Sequence, residues 1–539
     1  MPSVLPRPPS RESDGANILI QSLQNPALYD HEVGEFTVIE THISWVLLTG
    51  PYAYKIKKPV NLGFLDFSTL EKRRFYCHEE LRLNQRLAPR HYVDVITITG
   101  TPQKPTLTGT GAAIEYAVKM VQFPQDTQLD RVLARGALKD HHIDQLAQKL
   151  AAFHSDIRIA GPETTYGLPA HIHELVRSNF DRVFPTLRRK VDVDRLHKLR
   201  TWAEAEYGKQ RHTLSMRKQN GFIRECHGDM HLKNIALIDG ELLIFDCIEF
   251  NAELSWIDVI SEAAFVVMDL DGRGHPQLAR RFLNAYLENT GDYEGLKLLR
   301  YYLAYRAMVR AMVDTIRVGQ SGLDERERHE VLVECRHYIA LAERYIQVAR
   351  PALIITHGLS GSGKTTVAQS LLENQFFVIR VRSDVERKRL YGLAADARTQ
   401  SEVDGGLYTD KVTRRTYVRL LELARTLLRS GSTVIVDATF LKQAQRNAFR
   451  VLAQRLGLPF FILDCQLSED ILLKRVLSRK REGRDASEAN AAVLTHQLAT
   501  HEPLTEAEKG YAIIIDTTHG VDGAHVTATL DGPLQTEQD

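Results

Sequence analysis

Residues 227–246, HGDMHLKNIALIDGELLIFD, constrain the fold of this 539-residue chain more than any other stretch. Two apolar, β-prone runs flank the Asp-Gly dipeptide at 239–240, which is favoured in two-residue hairpin turns. Counting back along both strands from this turn places Asn234 opposite Phe245. Asn234 and Asp246 are therefore predicted to lie side by side at the open end of a hairpin, where their oxygens offer two ligands for one Mg²⁺.

Asp229 precedes Asn234 by five residues, and this Asp-x-x-x-x-Asn spacing is typical of kinase catalytic loops, in which the Asp orients the acceptor hydroxyl and the Asn binds metal. The pattern His227-Gly228-Asp229-x-His231-x-x-Asn234, followed by Asp246, resembles the catalytic loop of aminoglycoside phosphotransferases and choline kinases. These enzymes have a protein-kinase-like fold and phosphorylate hydroxyl groups of small molecules. The resemblance implies a catalytic Asp229 and a magnesium site at Asn234 and Asp246. The alternative is an ordinary hairpin with polar ends.

The length predicts two or three domains, and a composition of 43% hydrophobic and 25% charged residues is that of a soluble globular protein. A net charge of +1 argues against a surface built mainly to bind nucleic acid, although a local basic groove stays open. The five scattered cysteines favour reduced thiols in a cytoplasmic protein. We expect no membrane segment, and a disordered Pro/Ser-rich leader over residues 1–30.

The small lobe of the kinase-like domain is predicted at about residues 31–123, within a domain spanning 31–350. Strand-like runs at 44–49 and 52–57 form an antiparallel hairpin around a Gly-Pro turn. The second run contains Ala-x-Lys, which resembles the phosphate-binding strand of kinases and implies that Lys55 contacts the α- and β-phosphates. Lys57 points to the same face and competes for this role. A solvated lysine cluster is the alternative.

A Ser-x-x-Glu capping box at 68–71 predicts a helix that runs to about Leu87. A kinase needs one carboxylate here to pair with the strand lysine. Glu80 is the preferred residue, and Glu79 is the alternative. The alternative is an exposed glutamate without a special role, since such residues are common on helix surfaces.

The large lobe is predicted at about 124–350. The strand 114–121 precedes the hinge, which makes residues 120–123 candidate neighbours of adenine, although packing in the sheet core explains them equally well. Asp258 resembles the family's Asp that braces the catalytic loop. Amphipathic helices then lead to an Arg-Pro step at 350–351, where the second domain begins.

The second domain, predicted at 351–520, begins with an apolar strand at 352–356 and a complete G-x-x-x-x-G-K-T loop before a helix. In this setting, backbone N–H groups and the helix N-terminus bind phosphate, the lysine bridges the β- and γ-phosphates, and the following threonine ligates Mg²⁺. The predicted nucleotide-binding residues are Gly358, Ser360, Gly361, Ser362, Gly363, Lys364, Thr365 and Thr366.

Four further strands, predicted at 377–381, 433–436, 460–463 and 511–515, alternate with helical segments. Together with 352–356 they predict a five-stranded parallel, doubly wound sheet. Asp437 ends the third strand in chain order and fits a carboxylate that supports the magnesium site beside Thr365. The alternative for Asp437 is a strand-terminal Asp that turns the chain.

Arg382-Ser383-Asp384-x-x-Arg387 resembles the acceptor motif of polynucleotide kinases and gluconate kinases. The resemblance implies that Asp384 orients a hydroxyl group and that Arg387 binds a phosphate. A basic lid is predicted further on, in which Arg479 offsets transition-state charge, with a solvated basic helix as the alternative. The other lid arginines are Arg475, Arg481 and Arg484. Residues 521–539 are expected to form a flexible tail.

The order of the two domains resembles bacterial fusion proteins that join an aminoglycoside-phosphotransferase-like domain to an ATP-binding domain. The resemblance implies two phosphotransfer domains that use ATP and Mg²⁺ and act on small-molecule hydroxyl groups. Two other hypotheses remain open: one half is a nucleotide-responsive regulator, or the P-loop half phosphorylates nucleic-acid ends, which the net charge does not favour.

Overall fold

A computed structural model of the protein describes residues 11–63, 65–319, 323–347, 350–374, 378–395, 397, 409–482 and 491–518. The chain divides into two compact units that each draw on separate stretches of sequence. Unit 1 comprises residues 1–139, 156–168 and 217–262, and unit 2 comprises 140–155, 169–216 and 263–539. Among the helices within the described residues, none is long and apolar enough to cross a membrane. The domain boundary near residue 350 stays a prediction.

The helices and strands below are numbered in chain order within the described residues. The α-helices are α1 (Arg11–Ser22), α2 (Leu70–Gln85), α3 (Leu129–Ala134), α4 (Asp140–Asp156), α5 (Pro169–Val183), α6 (Lys190–Gln219), α7 (Ala252–Ser255), α8 (Val259–Gly272), α9 (Pro276–Thr290), α10 (Leu296–Val318), α11 (Glu325–Ile346), α12 (Lys364–Asn374), α13 (Ser383–Arg389), α14 (Asp410–Arg429), α15 (Gln443–Leu456), α16 (Glu469–Glu482), α17 (Ala491–Thr500) and α18 (Glu506–Lys509). The strands are β1 (Thr37–Glu40), β2 (Ser44–Leu48), β3 (Tyr52–Lys57), β4 (Tyr92–Thr101), β5 (Lys104–Leu107), β6 (Ala113–Val121), β7 (Ile223–Glu225), β8 (Ile235–Ile238), β9 (Glu241–Ile244), β10 (Trp256–Asp258), β11 (Leu353–His357), β12 (Val378–Arg382), β13 (Thr433–Asp437), β14 (Phe460–Gln466) and β15 (Ala512–Asp516).

Unit 1 contains a six-stranded antiparallel sheet in the order β1-β2-β3-β6-β4-β5. The predicted hairpin at its centre is confirmed, since β2 pairs with β3 and aligns Val46 with Lys55. Helix α2 begins one residue later than the predicted capping box requires: Thr69, not Ser68, is the N-cap, and its hydroxyl accepts the N–H of Lys72 at 3.3 Å. The helix carries Glu80 on its buried face.

The expectation of a disordered leader over residues 1–30 is wrong from residue 11 onward; residues 1–10 lie outside the described residues. Helix α1 occupies Arg11–Ser22, and a short 3₁₀ turn follows at Pro26–Leu28. Leu19, Ile20 and Leu23 are buried against the sheet together with Trp45. The apolar spacing of these residues stabilises a helix that the Pro/Ser-rich composition of the first ten residues concealed.

Truncating the core side of α1 should therefore destabilise unit 1. Leu19 is 6% exposed, and Leu19→Ala should lower the free energy of unfolding by about 2 kcal/mol through lost burial and a residual cavity. Ile18→Ala is the matched control, because Ile18 lies on the same helix and is 37% exposed. Thermal or urea unfolding of both variants checks this, and equal effects would contradict the packing of α1.

The hairpin predicted around residues 239–240 is confirmed with its register. Strands β8 and β9 are antiparallel, with Ile238 opposite Glu241 and the N–H of Phe245 donating to the carbonyl of Asn234 at 3.0 Å. Asp239 and Gly240 both have positive φ angles, +50° and +82°, as a type I′ turn requires.

Unit 2 contains a five-stranded parallel sheet in the order β12-β13-β11-β14-β15, which confirms the predicted doubly wound sheet. Strand bounds differ from the prediction by up to three residues, and Phe377 lies outside the described residues. A core packs α12 on the sheet through Val367, Leu371, Ile354 and Ile435. Helix α9 also contacts β12, the edge strand. A helix that precedes residue 350 in the chain therefore packs on this sheet.

Candidate functional site

Unit 1 brings Lys55, Glu80 and Asp246 together. The Lys55 ammonium lies 2.8 Å from a Glu80 carboxylate oxygen and 2.5 Å from Asp246 Oδ1. Burial by itself disfavours the charged lysine, but the carboxylates of Asp246 and Glu80 outweigh it and raise the pKa of Lys55 well above its ordinary value. Lys55 is therefore a fixed positive charge beside Asp246.

Glu80 is the helix carboxylate that pairs with the strand lysine, whereas Glu79 pairs with Arg82. Glu80 is fully buried and also accepts a hydrogen bond from Lys57 at 2.6 Å. Burial opposes its charge, yet Lys55 and Lys57 together lower the pKa of Glu80 to about 2. The carboxylate is thus ionised at neutral pH and anchors both lysines.

Lys57 shares the face of Lys55, as strand alternation predicts, but its surroundings differ. It is 1% exposed, it is enclosed by Glu80 and Glu249, and its ammonium lies 4.8 Å from the ring centre of Phe67. Burial, which outweighs the attraction of Lys57, raises the pKa of Glu249. Lys57 is therefore enclosed, whereas the Lys55 side chain is 12% exposed, so Lys55 stays the predicted phosphate contact.

The loop before the hairpin connects Asp229 directly to Asn234. The side-chain amide of Asn234 donates to the Asp229 backbone carbonyl at 3.0 Å and to Asp229 Oδ2 at 3.2 Å. Because its NH₂ group is used in this way, the amide oxygen of Asn234 points away from Asp229. His231 Nε2 also lies 3.3 Å from Asp229 Oδ2, and about a third of the Asp229 side chain is exposed. The carboxylate is therefore held in place but stays accessible.

Asp246 follows β9 in a left-handed backbone conformation, with φ +65°. This conformation costs energy for most residues and is tolerated better by Asp. Two side chains from the small-lobe sheet and α2 hold the strained segment: Tyr92 Oη accepts the N–H of Asp246 at 3.1 Å, and Asn84 Oδ1 accepts the N–H of Cys247 at 2.9 Å. The Asp246 side chain is 44% exposed, so one face is open to a ligand.

Gly228 shows why the catalytic loop needs a glycine. Its φ is +91°, and a Cβ atom there would lie 2.7 Å from the carbonyl oxygen of Leu254. The Gly228 N–H donates to the buried Glu262 carboxylate at 2.7 Å. Asp258, predicted to brace the loop, forms two 2.7 Å hydrogen bonds with Arg217, and its bracing role stays a prediction. Glu262 holds the loop backbone through Gly228.

Unit 1 thus supplies a carbonyl-type oxygen from Asn234 and a carboxylate from Asp246, which suit Mg²⁺. The partly open Asp246 carboxylate is a feature that a bound cation would use. The roles of Glu249, Glu262 and Tyr92 were not predicted from the sequence. No sequence motif marks these residues. Each gains its role from being buried beside residues that are distant in the chain.

The phosphate-binding loop of unit 2 joins β11 to α12, as predicted. Gly358 has a φ of +136°, and a Cβ atom there would lie 2.7 Å from the carbonyl oxygen of Cys465, so a side chain would displace the loop. Lys364 folds back to donate to the Leu359 carbonyl at 2.7 Å, and the Ser360 N–H donates to Gln497 at 2.9 Å. The contact of Gln497 with the phosphate-binding loop was not predicted from the sequence.

The residues predicted to bind nucleotide in unit 2 are contiguous around this loop and the first turn of α12. Gly361 and Gly363 have φ angles of +89° and +83°, which turn the backbone around the loop. Thr365 is half-buried and Thr366 is exposed. Ser362 Oγ is buried and makes no hydrogen bond with any described residue.

Asp437 lies at the end of β13, next to Arg382 in the parallel register. It is 6% exposed, and among described residues no donor hydrogen-bonds its Oδ2 atom; the nearest cation is Arg382 Nε at 3.9 Å. A buried carboxylate oxygen without a hydrogen bond is costly unless something binds it. Asp437 and Ser362 therefore fit a site that takes Mg²⁺ with a nucleotide phosphate.

Asp384 and Arg387 lie on α13, which begins at Ser383, so the two side chains share one helix face as predicted. Asp384 is half-buried. Arg387 is 8% exposed and donates to Thr413 Oγ1 at 3.2 Å. The nearby Tyr417 is also buried, and its hydroxyl accepts the N–H of Phe440 at 3.1 Å.

The predicted basic lid is only partly described. Arg475 on α16 donates to the carbonyl of Thr517 at 2.7 Å, and Thr517 Oγ1 donates to the Ser362 carbonyl at 2.9 Å. Arg475 is thus linked to the phosphate-binding loop through one residue. The Arg479 and Arg481 side chains and all of Arg484 lie outside the described residues, as does the tail at 521–539.

Comparisons with known proteins agree with the geometry of the second site. Residues 353–504 match the family model described as an AAA domain. Uncharacterized proteins of Mycobacterium tuberculosis and Mycobacterium bovis are 29% identical to the chain over 462 residues, which is 86% of this chain and 90% of theirs.

Three solved structures resemble parts of the chain. Amicoumacin kinase in complex with AMP-PNP is 12% identical, with 61% of this chain and 94% of that chain covered and a TM-score of 0.39. An ethanolamine kinase of Plasmodium vivax is 10% identical, with 64% and 96% covered and a TM-score of 0.36. The APS kinase of Mycobacterium tuberculosis is 19% identical, with 34% and 99% covered and a TM-score of 0.26.

The family match and the site geometry concern the same residues. The matched region contains the phosphate-binding loop, Asp437 and four of the five strands of the sheet, β11 to β14. Residues 353–504 therefore match the AAA domain model and contain the phosphate loop and four of the five parallel strands of a P-loop nucleotide-binding fold.

Proposed function

We propose that the protein is an ATP-dependent phosphotransferase with two nucleotide-binding sites, which transfers the γ-phosphate of ATP to hydroxyl groups of small molecules. The observation that carries this proposal is the contact of Lys55 with both Glu80 and Asp246 in unit 1. A lysine held by a helix carboxylate beside a metal-binding Asp is the arrangement that protein-kinase-like enzymes require.

In unit 1, each polar residue has a separate chemical task. Asn234 and Asp246 would hold Mg²⁺, which offsets negative charge on the nucleotide phosphates. Lys55, which lies beside Asp246, would contact the α- and β-phosphates. Asp229, accessible and oriented by Asn234, would accept the proton of the acceptor hydroxyl.

In unit 2, the phosphate loop would bind the β-phosphate through its backbone N–H groups, and Lys364 would reach the β- and γ-phosphates. Thr365 and Asp437 would hold Mg²⁺. Asp384 would orient an acceptor hydroxyl. Arg387 would bind a phosphate group carried by that acceptor. Arg479 stays a proposed charge-neutralising residue.

A small-molecule acceptor is proposed for both sites, since the overall charge of +1 provides no strong field for nucleic acid. A cytoplasmic location is proposed from the five cysteines, which are all buried free thiols.

Nucleotide titration tests the presence of two sites. The intact protein should bind two equivalents of a non-hydrolysable ATP analogue in the presence of Mg²⁺, as measured by calorimetry. Lys364→Ala should remove one equivalent, and Asp246→Ala should remove the other by deleting a metal ligand.

The exposed Lys442→Ala serves as a control for loss of a lysine in unit 2 and should keep both equivalents. A single equivalent that is lost only in Lys364→Ala would contradict a nucleotide site in unit 1. It would mean that this half is a degenerate kinase, and it would favour the hypothesis that only the P-loop half transfers phosphate.

A further inference from the structure

Strand β12 is the edge of the parallel sheet, and helix α9 completes it. Edge strands leave backbone N–H and C=O groups without strand partners. The side-chain amide of Asn284 donates to the Val378 carbonyl at 3.2 Å and accepts the N–H of Arg380 at 2.8 Å. Asn284 is 2% exposed, so a buried side chain takes the place of a neighbouring strand. Helix α9 is therefore a fixed part of the sheet that carries the P-loop.

Glu288 lies one helical turn after Asn284 on the same face of α9. Its carboxylate accepts two hydrogen bonds from Arg380, at 3.1 and 2.7 Å, and lies 3.5 Å from the guanidinium of Arg382. The Glu288 side chain is 12% exposed. Burial opposes its charge, but Arg380 and Arg382 lower the pKa of Glu288, so it is ionised at neutral pH.

Arg382 stands between two carboxylates. Its Nη1 atom faces Glu288 at 3.5 Å, whereas its Nε atom is 3.9 Å from Asp437 Oδ2, beyond hydrogen-bond distance. Asp437 is the buried carboxylate that fits the magnesium site. A closer, hydrogen-bonded Arg382–Asp437 ion pair would neutralise the charge on Asp437 and occupy its Oδ2 atom, which accepts no hydrogen bond within the described residues.

We propose that Glu288 is a positioning residue that holds Arg382 away from Asp437 and thereby keeps the P-loop site competent to bind Mg²⁺. This inference rests on the proposed nucleotide-binding function of unit 2. It makes magnesium affinity at the P-loop depend on a helix that lies before the AAA domain in the chain. Replacing the Glu288 charge releases Arg382 to pair with Asp437.

The test uses the full-length chain carrying Asp246→Ala, so that only the P-loop site responds. A fluorescent, non-hydrolysable ATP analogue is bound at increasing Mg²⁺ concentrations, and the Mg²⁺ midpoint is measured. Glu288→Gln keeps the shape and an acceptor for Arg380 but removes the charge, and it should raise the midpoint about tenfold, a typical effect of losing a partner of a metal-site residue. Adding Arg382→Gln should return the midpoint to the value of Arg382→Gln alone, which is at or below the parental value because no guanidinium is then left beside Asp437.

Arg280→Gln is the matched control, because Arg280 also lies on α9 and donates to the Leu372 carbonyl at 2.6 Å. It should leave the Mg²⁺ midpoint unchanged. A midpoint that is unchanged in Glu288→Gln, or not restored by Arg382→Gln, would overturn the positioning role. Should Glu288→Gln not fold, Arg382→Gln alone should lower the midpoint, and an unchanged value would overturn the proposal equally.

The proposed function and the positioning role fail in different ways. Binding of the analogue that survives Lys364→Ala would show that the P-loop is not the nucleotide site, which removes both. Binding that depends on Lys364 and Mg²⁺ but not on Glu288 would retain the proposed function and reject only the positioning role.

Discussion

Asp229→Asn should lower acceptor phosphorylation at the unit 1 site by about 10²–10⁴-fold while leaving affinity for Mg²⁺-ATP nearly unchanged. The physical reason is the separation of tasks in the loop. Asp229 is oriented by the Asn234 amide, and an amide oxygen at position 229 can still accept that hydrogen bond. The uncharged side chain cannot take the proton of an attacking hydroxyl, so only the chemical step is lost.

The measurement uses the full-length protein carrying Lys364→Ala, so that transfer comes from unit 1. Labelled ATP is incubated with fractionated cell metabolites, and label in the accepting fraction is counted. Asp239→Asn is the matched control, because Asp239 is an exposed turn residue of the same hairpin and Asn tolerates its positive φ. Transfer by Asp229→Asn at the parental rate would remove Asp229 from the mechanism.

Asp384→Ala should reduce transfer at the P-loop site by about 10²–10⁴-fold, again without loss of nucleotide binding. Asp384 lies on the first turn of α13, and Arg387 lies on the same helix face, so both can meet one acceptor. Slow hydrolysis of ATP by water should persist, because water can enter an empty acceptor site.

This experiment uses the full-length protein carrying Asp229→Asn, which isolates the P-loop site. Label is followed into both metabolite and RNA fractions, which also distinguishes small-molecule from nucleic-acid acceptors. Glu422→Ala, an exposed change on the neighbouring α14, is the control for loss of a carboxylate. If Asp384→Ala phosphorylated the accepting fraction as fast as its parent, Asp384 would be a structural residue in the first turn of α13.

The features that the sequence predicted correctly are those encoded by contiguous residues. The Asp-Gly turn and two flanking runs determine the register of the β8–β9 hairpin, and hence the neighbouring positions of Asn234 and Asp246. The phosphate loop is likewise continuous, between a buried strand and a helix. In both cases short-range geometry decides the outcome, since turn conformation and strand alternation need no information from distant parts of the chain.

Helix α1 was not predicted, because the Pro/Ser-rich composition of the N-terminal residues indicated disorder. The prolines and serines that suggested disorder lie mostly within residues 1–10, whereas Leu19, Ile20 and Leu23 form a short apolar face. That spacing is compatible with a helix, but a helix of this length is only marginally stable on its own. The sheet that buries it is what stabilises it, and this sheet is assembled from residues that follow in the chain.

Apart from Glu80, only the tertiary structure distinguished the buried carboxylates from the many exposed ones. Glu249, Glu262 and Glu288 occupy unremarkable positions in the sequence, since glutamate is common on solvated helices and loops. Folding removes water from these three side chains and places each beside a lysine, an arginine or a backbone N–H. An ionised group in such surroundings must be paired, and its partners come from distant parts of the chain. Local pattern therefore determined the positions of the proposed phosphate and metal sites, while long-range packing decided which charges hold the residues of those sites in position.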